Sequence, residues 1–64
     1  MKLTRTDTKF INLLKEKGFS RENIADAIST LKDDVNIGYM VDWLQQNPQA
    51  NQFEIKDEIN NNFK

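Results

Sequence analysis

Lys17-Gly18-Phe19-Ser20 can end one helix and start the next, so the predicted fold is built around this junction. Gly18 can adopt a positive φ without steric cost, which suits the position just past a helix end. Ser20 is a preferred N-cap residue for a following helix. Phe19 stands between the two, and Leu14 occupies the contact position of a Schellman-type helix end. We therefore expect Phe19 to hold two helices in a defined crossing.

Apolar residues spaced three and four apart predict helices on both sides of this junction. Ile24, in the second helix, lies at the staple position relative to Phe19. No segment shows the alternation of a strand. The predicted fold class is all-α: a compact three-helix bundle plus a short C-terminal helix, in one domain of 64 residues. The predicted helices cover about residues 5–16, 21–32, 37–46 and 52–61.

The third helix is expected to begin after Asn36, a good N-cap residue. Val35 and Met40 would then form a second hydrophobic staple. Pro48 should end this helix, because a residue that precedes proline is pushed out of the α region.

The composition removes most catalytic and metal-binding chemistry. The chain has no cysteine and no histidine, which excludes the common zinc sites and the Cys-His and Ser-His catalytic pairs. Nine basic residues against ten acidic ones give a net charge of −1, so the basic excess of a nucleic-acid-binding domain is missing. We expect no enzymatic activity, no cofactor and no metal.

No apolar run approaches the length of a membrane span. Polar residues follow Met1-Lys2-Leu3 at once, so no apolar signal region is expected. These features predict a cytoplasmic protein that does not enter a membrane.

Short motifs between residues 10 and 47 are similar to those of a known family. They are Gly18-Phe19-Ser20, then Ala27-Ile28, then Ile37-Gly38-Tyr39-Met40-Val41-Asp42-Trp43-Leu44 with Asn47-Pro48 after it. They resemble the Met-Gly-Phe or Met-Gly-Tyr loop, the Ala-Leu pair and the third helix of the ubiquitin-associated (UBA) domain and its UBA-like relatives. The resemblance implies a three-helix fold that binds other proteins.

Two departures argue against ubiquitin as the partner. Lys17 stands where the family's loop has a methionine that often touches ubiquitin, and Gln45 replaces the second leucine of its common Leu-Leu pair. The segment from Asn51 onward also lies outside the minimal family fold.

Tyr39 and Trp43 are the main candidate binding residues, since they lie four apart on one side of the third helix. A partly exposed tryptophan is a typical interface anchor. The alternative is that the fourth segment covers both. Phe19 and Lys17 are weaker candidates. Contacts between the first two helices are sufficient to explain Phe19, and a lysine at a solvated helix end is ordinary.

The leading functional hypothesis is a non-enzymatic module that binds an unidentified protein through this aromatic edge. The alternative is a helix-turn-helix DNA-binding regulator of phage or plasmid type. A third helix without Lys or Arg counts against DNA binding. The expected state is a monomer or a weak homodimer, the latter with the terminal segments paired or exchanged.

Overall fold

The computed structural model describes residues 3–64. In these residues it contains four helices and no strand, which confirms the prediction of an all-α fold. Met1 and Lys2, on which the expectation of no signal region partly depends, lie outside the described residues. The helices are α1 (Arg5–Glu16), α2 (Arg21–Leu31), α3 (Asp34–Gln46) and α4 (Gln52–Phe63).

The junction between α1 and α2 has the predicted geometry. Gly18 has a φ of 84°. Its N–H donates to the carbonyl of Lys15 at 3.0 Å, and the N–H of Phe19 donates to the carbonyl of Leu14 at 3.1 Å. These two bonds define a Schellman motif. Ser20 then caps α2 by accepting a backbone N–H from its first turn.

The starts of α1 and α4 are capping boxes. Thr4 and Asp7 exchange side-chain to backbone hydrogen bonds at the first, and Asn51 and Glu54 do so at the second. Each box satisfies two of the four N–H groups that a helix start leaves unpaired. α4 continues two residues beyond its predicted end at 61 and finishes at Phe63.

The predicted start of α3 is wrong. The side chain of Asp33 accepts the N–H of Asn36 at 3.0 Å, so Asp33 is the N-cap and the helix begins directly after it. Asn36 lies within the first turn, and its Nδ2 donates to the carbonyl of Leu31 at 2.6 Å. The predicted staple between Val35 and Met40 is also wrong, because the Val35 side chain is 81% exposed.

Only Lys32 and Asp33 join α2 to α3. α2 ends at Leu31, one residue before its predicted end at 32. The N–H of Asp33 donates to the carbonyl of Leu31, two residues earlier, at 3.0 Å. Lys32, in the middle, has φ 76° and ψ −48°. This is a γ-turn with positive φ, which is rare and strained for a residue that has a β-carbon.

The helices pack as two pairs around one core. α1 packs mainly on α3, α2 packs mainly on α4, and α3 also contacts α2 and α4. α4 contributes Ile55 and Ile59, so the C-terminal helix is part of the bundle. The buried residues are Phe10, Leu14, Phe19, Ile24, Ala27, Leu31, Ile37, Met40, Val41, Leu44, Ala50, Ile55 and Ile59.

Candidate functional site

An apolar strip runs along the outer side of α3 and consists of Val35, Tyr39 and Trp43. The three residues are four apart, so they lie on successive turns of one helix side. Val35 is 81% exposed and Tyr39 is 46% exposed, while Trp43 is half-buried against the edge of the core. We call these residues the outer strip of α3.

Contacts from α4 fix the central residue of the strip. The hydroxyl of Tyr39 donates a hydrogen bond to Oε2 of Glu58 at 2.9 Å. The ring of Phe63 packs against the Tyr39 ring, with centroids 5.5 Å apart and planes at 69°, which is a favoured edge-to-face geometry. α4 therefore touches Tyr39 and orients it but leaves nearly half of its surface exposed.

The same hydrogen bond to Glu58 raises the pKa of Tyr39 above its ordinary value of 10.0, since deprotonation would break it. Smaller contributions come from burial of the hydroxyl and from the negative charge of Glu58. Tyr39 is thus a neutral hydrogen-bond donor at physiological pH.

Two carboxylates lie near Tyr39 in the strip. α3 contains no Lys or Arg, and Asp42 lies one turn from Tyr39 on the same side. Glu58 adds a second carboxylate from α4. The lysines of α4 and the C-terminus, Lys56 and Lys64, line a groove of about 400 Å³ between α2 and α4. Their positive charges therefore lie on the α2 side of α4.

Phe19 lies beneath that same groove and is only 7% exposed. Nζ of Lys56 lies over its ring, 5.8 Å from the centroid, within cation–π range. Phe19 thus packs in the core under a charged side chain from α4, and little of its ring can reach a partner.

Lys17 is held by two contacts with the segment around the start of α4. Its Nζ donates to the carbonyl of Pro48, and its own carbonyl accepts a hydrogen bond from Nε2 of Gln52 at 2.9 Å. With Leu13 and Leu44 it borders a shallow depression of about 290 Å³. Of the four residues singled out in the sequence, only Tyr39 and Trp43 share a surface strip.

Sequence reasoning missed Val35, Asp42 and Glu58 as parts of this surface. The predicted staple between Val35 and Met40 follows from an expected start of α3 that is three residues too late. A start after Asp33 would have shown Val35, Tyr39 and Trp43 as one line of residues. No local signal marks Glu58, since its place beside Tyr39 depends on how α4 packs.

Residues 3–64 contain no group of three or more acidic side chains arranged to hold a metal ion. Within the same residues, no helix is both long and apolar enough to cross a membrane. Comparison of the chain with protein-family models, with curated proteins and with solved structures finds no significant match.

Proposed function

We propose that this chain is a non-enzymatic helical module that binds another protein through the outer strip of α3. The observation that carries the proposal is the alignment of three apolar side chains on one helix side, two of them substantially exposed. Single exposed apolar residues are common on protein surfaces and need no explanation. Three in one line form a continuous ridge that a partner can cover.

The fixed position of Tyr39 supports a binding role. Ordering a mobile side chain at an interface costs free energy, so a side chain that is already ordered binds at lower cost. Glu58 and Phe63 hold Tyr39 from two directions. Tyrosine and tryptophan are also the residue types most enriched among those that dominate binding energy.

A UBA-like arrangement of α1, α2 and α3 is part of the proposal. Its support is the Gly18-Phe19-Ser20 junction, which forms a Schellman end followed by an N-cap, and the packing of α1 on α3. A partner other than ubiquitin is favoured, because Lys17 and Gln45 replace the residues that the family commonly uses for that contact.

The alternative is a helix-turn-helix DNA-binding regulator, which the two-residue connection between α2 and α3 would allow. A recognition helix normally offers donors to bases and phosphates. α3 has neither Lys nor Arg and carries Asp34 and Asp42. Binding of duplex DNA that weakens with added salt in a mobility-shift assay would favour this alternative over the module.

Affinity purification of the full chain, followed by mass spectrometry, tests the proposal. The variant with Val35→Ser and Tyr39→Ser should lose a partner that the wild type retains. Phe53→Ser is the matched control, because Phe53 is also an exposed apolar side chain, at 77%, but lies in the first turn of α4. Circular dichroism establishes that both variants fold. Retention of every partner by the double variant would overturn the proposal.

A further inference from the structure

The outer strip of α3 has the dimensions of a contact with one helix of a partner. Val35 and Trp43 are eight residues apart, which corresponds to about 12 Å along a helix axis. A partner helix that lies along this ridge would cover it with apolar residues on about two of its own turns. The two grooves of about 400 and 290 Å³ are lined by residues outside the strip.

The charged residues beside the strip indicate which charge a partner helix should carry. Asp42 and Glu58 are both acidic, and no Lys or Arg from α3 offsets them. Lys56 and Lys64 lie on the far side of α4, in the groove that faces α2. A partner that covers Tyr39 therefore lies beside two carboxylates.

Two other occupants fit these charges poorly. Packing the strip of one copy against the strip of a second would bring four carboxylates, Asp42 and Glu58 of each copy, to one interface, and juxtaposed like charges disfavour association. An anionic membrane surface is repelled by the same carboxylates, since membrane-binding helices carry Lys and Arg beside their apolar face.

We propose that the outer strip of α3 binds a basic amphipathic helix of a partner protein, with apolar residues on Val35, Tyr39 and Trp43 and Lys or Arg beside Asp42 and Glu58. This inference rests on the proposed function and adds the chemistry of the partner. Glu58 is able to accept such a cation while it holds Tyr39, because a carboxylate has about four lone-pair sites and Tyr39 uses one.

The experiment uses the full chain and three synthetic peptides of equal length. One has leucine on one helical face and lysine on the other, one has leucine and glutamate, and one has serine and lysine. Trp43 is the sole tryptophan of the chain, so its fluorescence reports contact with the strip directly. Peptides without aromatic residues leave this signal free of interference.

The leucine–lysine peptide should bind with a blue shift of the Trp43 emission, because it removes water from the indole. The other two peptides should bind at least about tenfold more weakly, which corresponds to about 1.4 kcal/mol. Affinity for the leucine–lysine peptide should fall as salt is added, because exposed charge pairs are screened.

Variants that remove negative charge test whether Asp42 and Glu58 contribute to peptide binding. The double variant with Asp42→Asn and Glu58→Gln should bind the leucine–lysine peptide about fivefold to tenfold more weakly, the scale expected for two exposed ion pairs. Asp26→Asn is the matched control, since it removes one negative charge from the groove between α2 and α4. It should leave the affinity unchanged.

Several outcomes would overturn the inference. Equal binding of the leucine–lysine and leucine–glutamate peptides would show that charge does not select the partner, while leaving the proposed function intact. A partner protein that binds through the strip but has no basic helix would also overturn the inference and leave the proposed function intact. No peptide binding together with no strip-dependent partner would remove both proposals.

Binding of a second copy or of a membrane surface to the strip would give different results. A concentration-dependent blue shift without peptide, accompanied by a dimer in sedimentation, would assign the strip to a second copy. A blue shift with phosphatidylglycerol vesicles alone would assign it to a membrane surface. Either result would contradict a basic helix as the occupant.

Discussion

Replacing Gly18 and Gly38 by alanine, one at a time, should change stability in opposite directions. These are the only two glycines of the chain, so the pair compares the same chemical change in two environments. Gly18 lies in the Schellman end of α1 with φ 84°. Gly38 lies inside α3.

Gly18→Ala should destabilise the fold by about 2 kcal/mol. The left-handed backbone conformation costs a residue with a β-carbon about 1–2 kcal/mol. The new carbon would also lie 3.1 Å from Nε2 of Gln52, so the Gln52 amide must shift by a few tenths of an ångström. The shift weakens its hydrogen bond to the carbonyl of Lys17, a bond worth about 1 kcal/mol. Alanine also lowers the conformational entropy of the unfolded chain, which offsets about 0.5 kcal/mol of this loss of stability.

Gly38→Ala should stabilise the fold by about 0.5–1 kcal/mol, because alanine loses less backbone entropy than glycine in a helix. A β-carbon at this position meets no atom within 4 Å. No steric cost therefore offsets the gain.

Thermal and urea unfolding, followed by circular dichroism, measure both effects. In a domain of this size 1 kcal/mol shifts the Tm by about 4–8 °C, so Gly18→Ala should lower it by about 8–16 °C. In a Gln52→Ala background the cost of Gly18→Ala should fall to the backbone part alone, about 1 kcal/mol. A Gly18→Ala variant as stable as wild type, or a destabilising Gly38→Ala, would refute this account of the two sites.

Three further substitutions test other parts of the structure. Lys32→Gly should stabilise the chain by about 1 kcal/mol in urea unfolding, since Lys32 holds a positive φ of 76°; an unchanged or lower midpoint would contradict the strained turn. Ile55→Ala should cost about 2–5 kcal/mol, because the side chain is fully buried, and a small loss would show that α4 packs loosely. Glu58→Gln should lower the pKa of Tyr39 toward 10.0, measured by phenolate absorbance of the sole tyrosine. Because the folded-state pKa is raised, the hydrogen bond stabilises the fold below pH 10 and is lost as the pH rises through the folded-state value; identical titrations of variant and wild type would show that Glu58 does not control Tyr39.

The positions of the helices could be predicted because their ends are set by local chemistry. Gly18 and Ser20 act within one turn of the chain, as do the capping boxes at Thr4 and Asn51. Such hydrogen bonds involve residues three to five positions apart, so the sequence contains both partners of each bond.

The start of α3 could not be fixed in the same way. Asp33 and Asn36 are both good N-cap residues, and the inward spacing of the buried residues of α3 is identical for either start. Asp33 is the cap in the folded chain, and Asn36 is then free to bond the end of α2. Because α3 starts after Asp33, Val35 lies at the exposed end of the strip and does not form the predicted staple with Met40.

The sequence alone determined an all-α chain, the Lys17-Gly18-Phe19-Ser20 junction and the placement of Tyr39 and Trp43 on one helix side. The surroundings of those residues depend on how the helices pack: Lys56 of α4 lies over Phe19, and α4 brings Glu58 and Phe63 to Tyr39. The two kinds of contact differ in the sequence separation of the residues that they join. Caps and turns join near neighbours, whereas the contact between Tyr39 and Glu58 joins residues 19 positions apart and forms only when two helices pack.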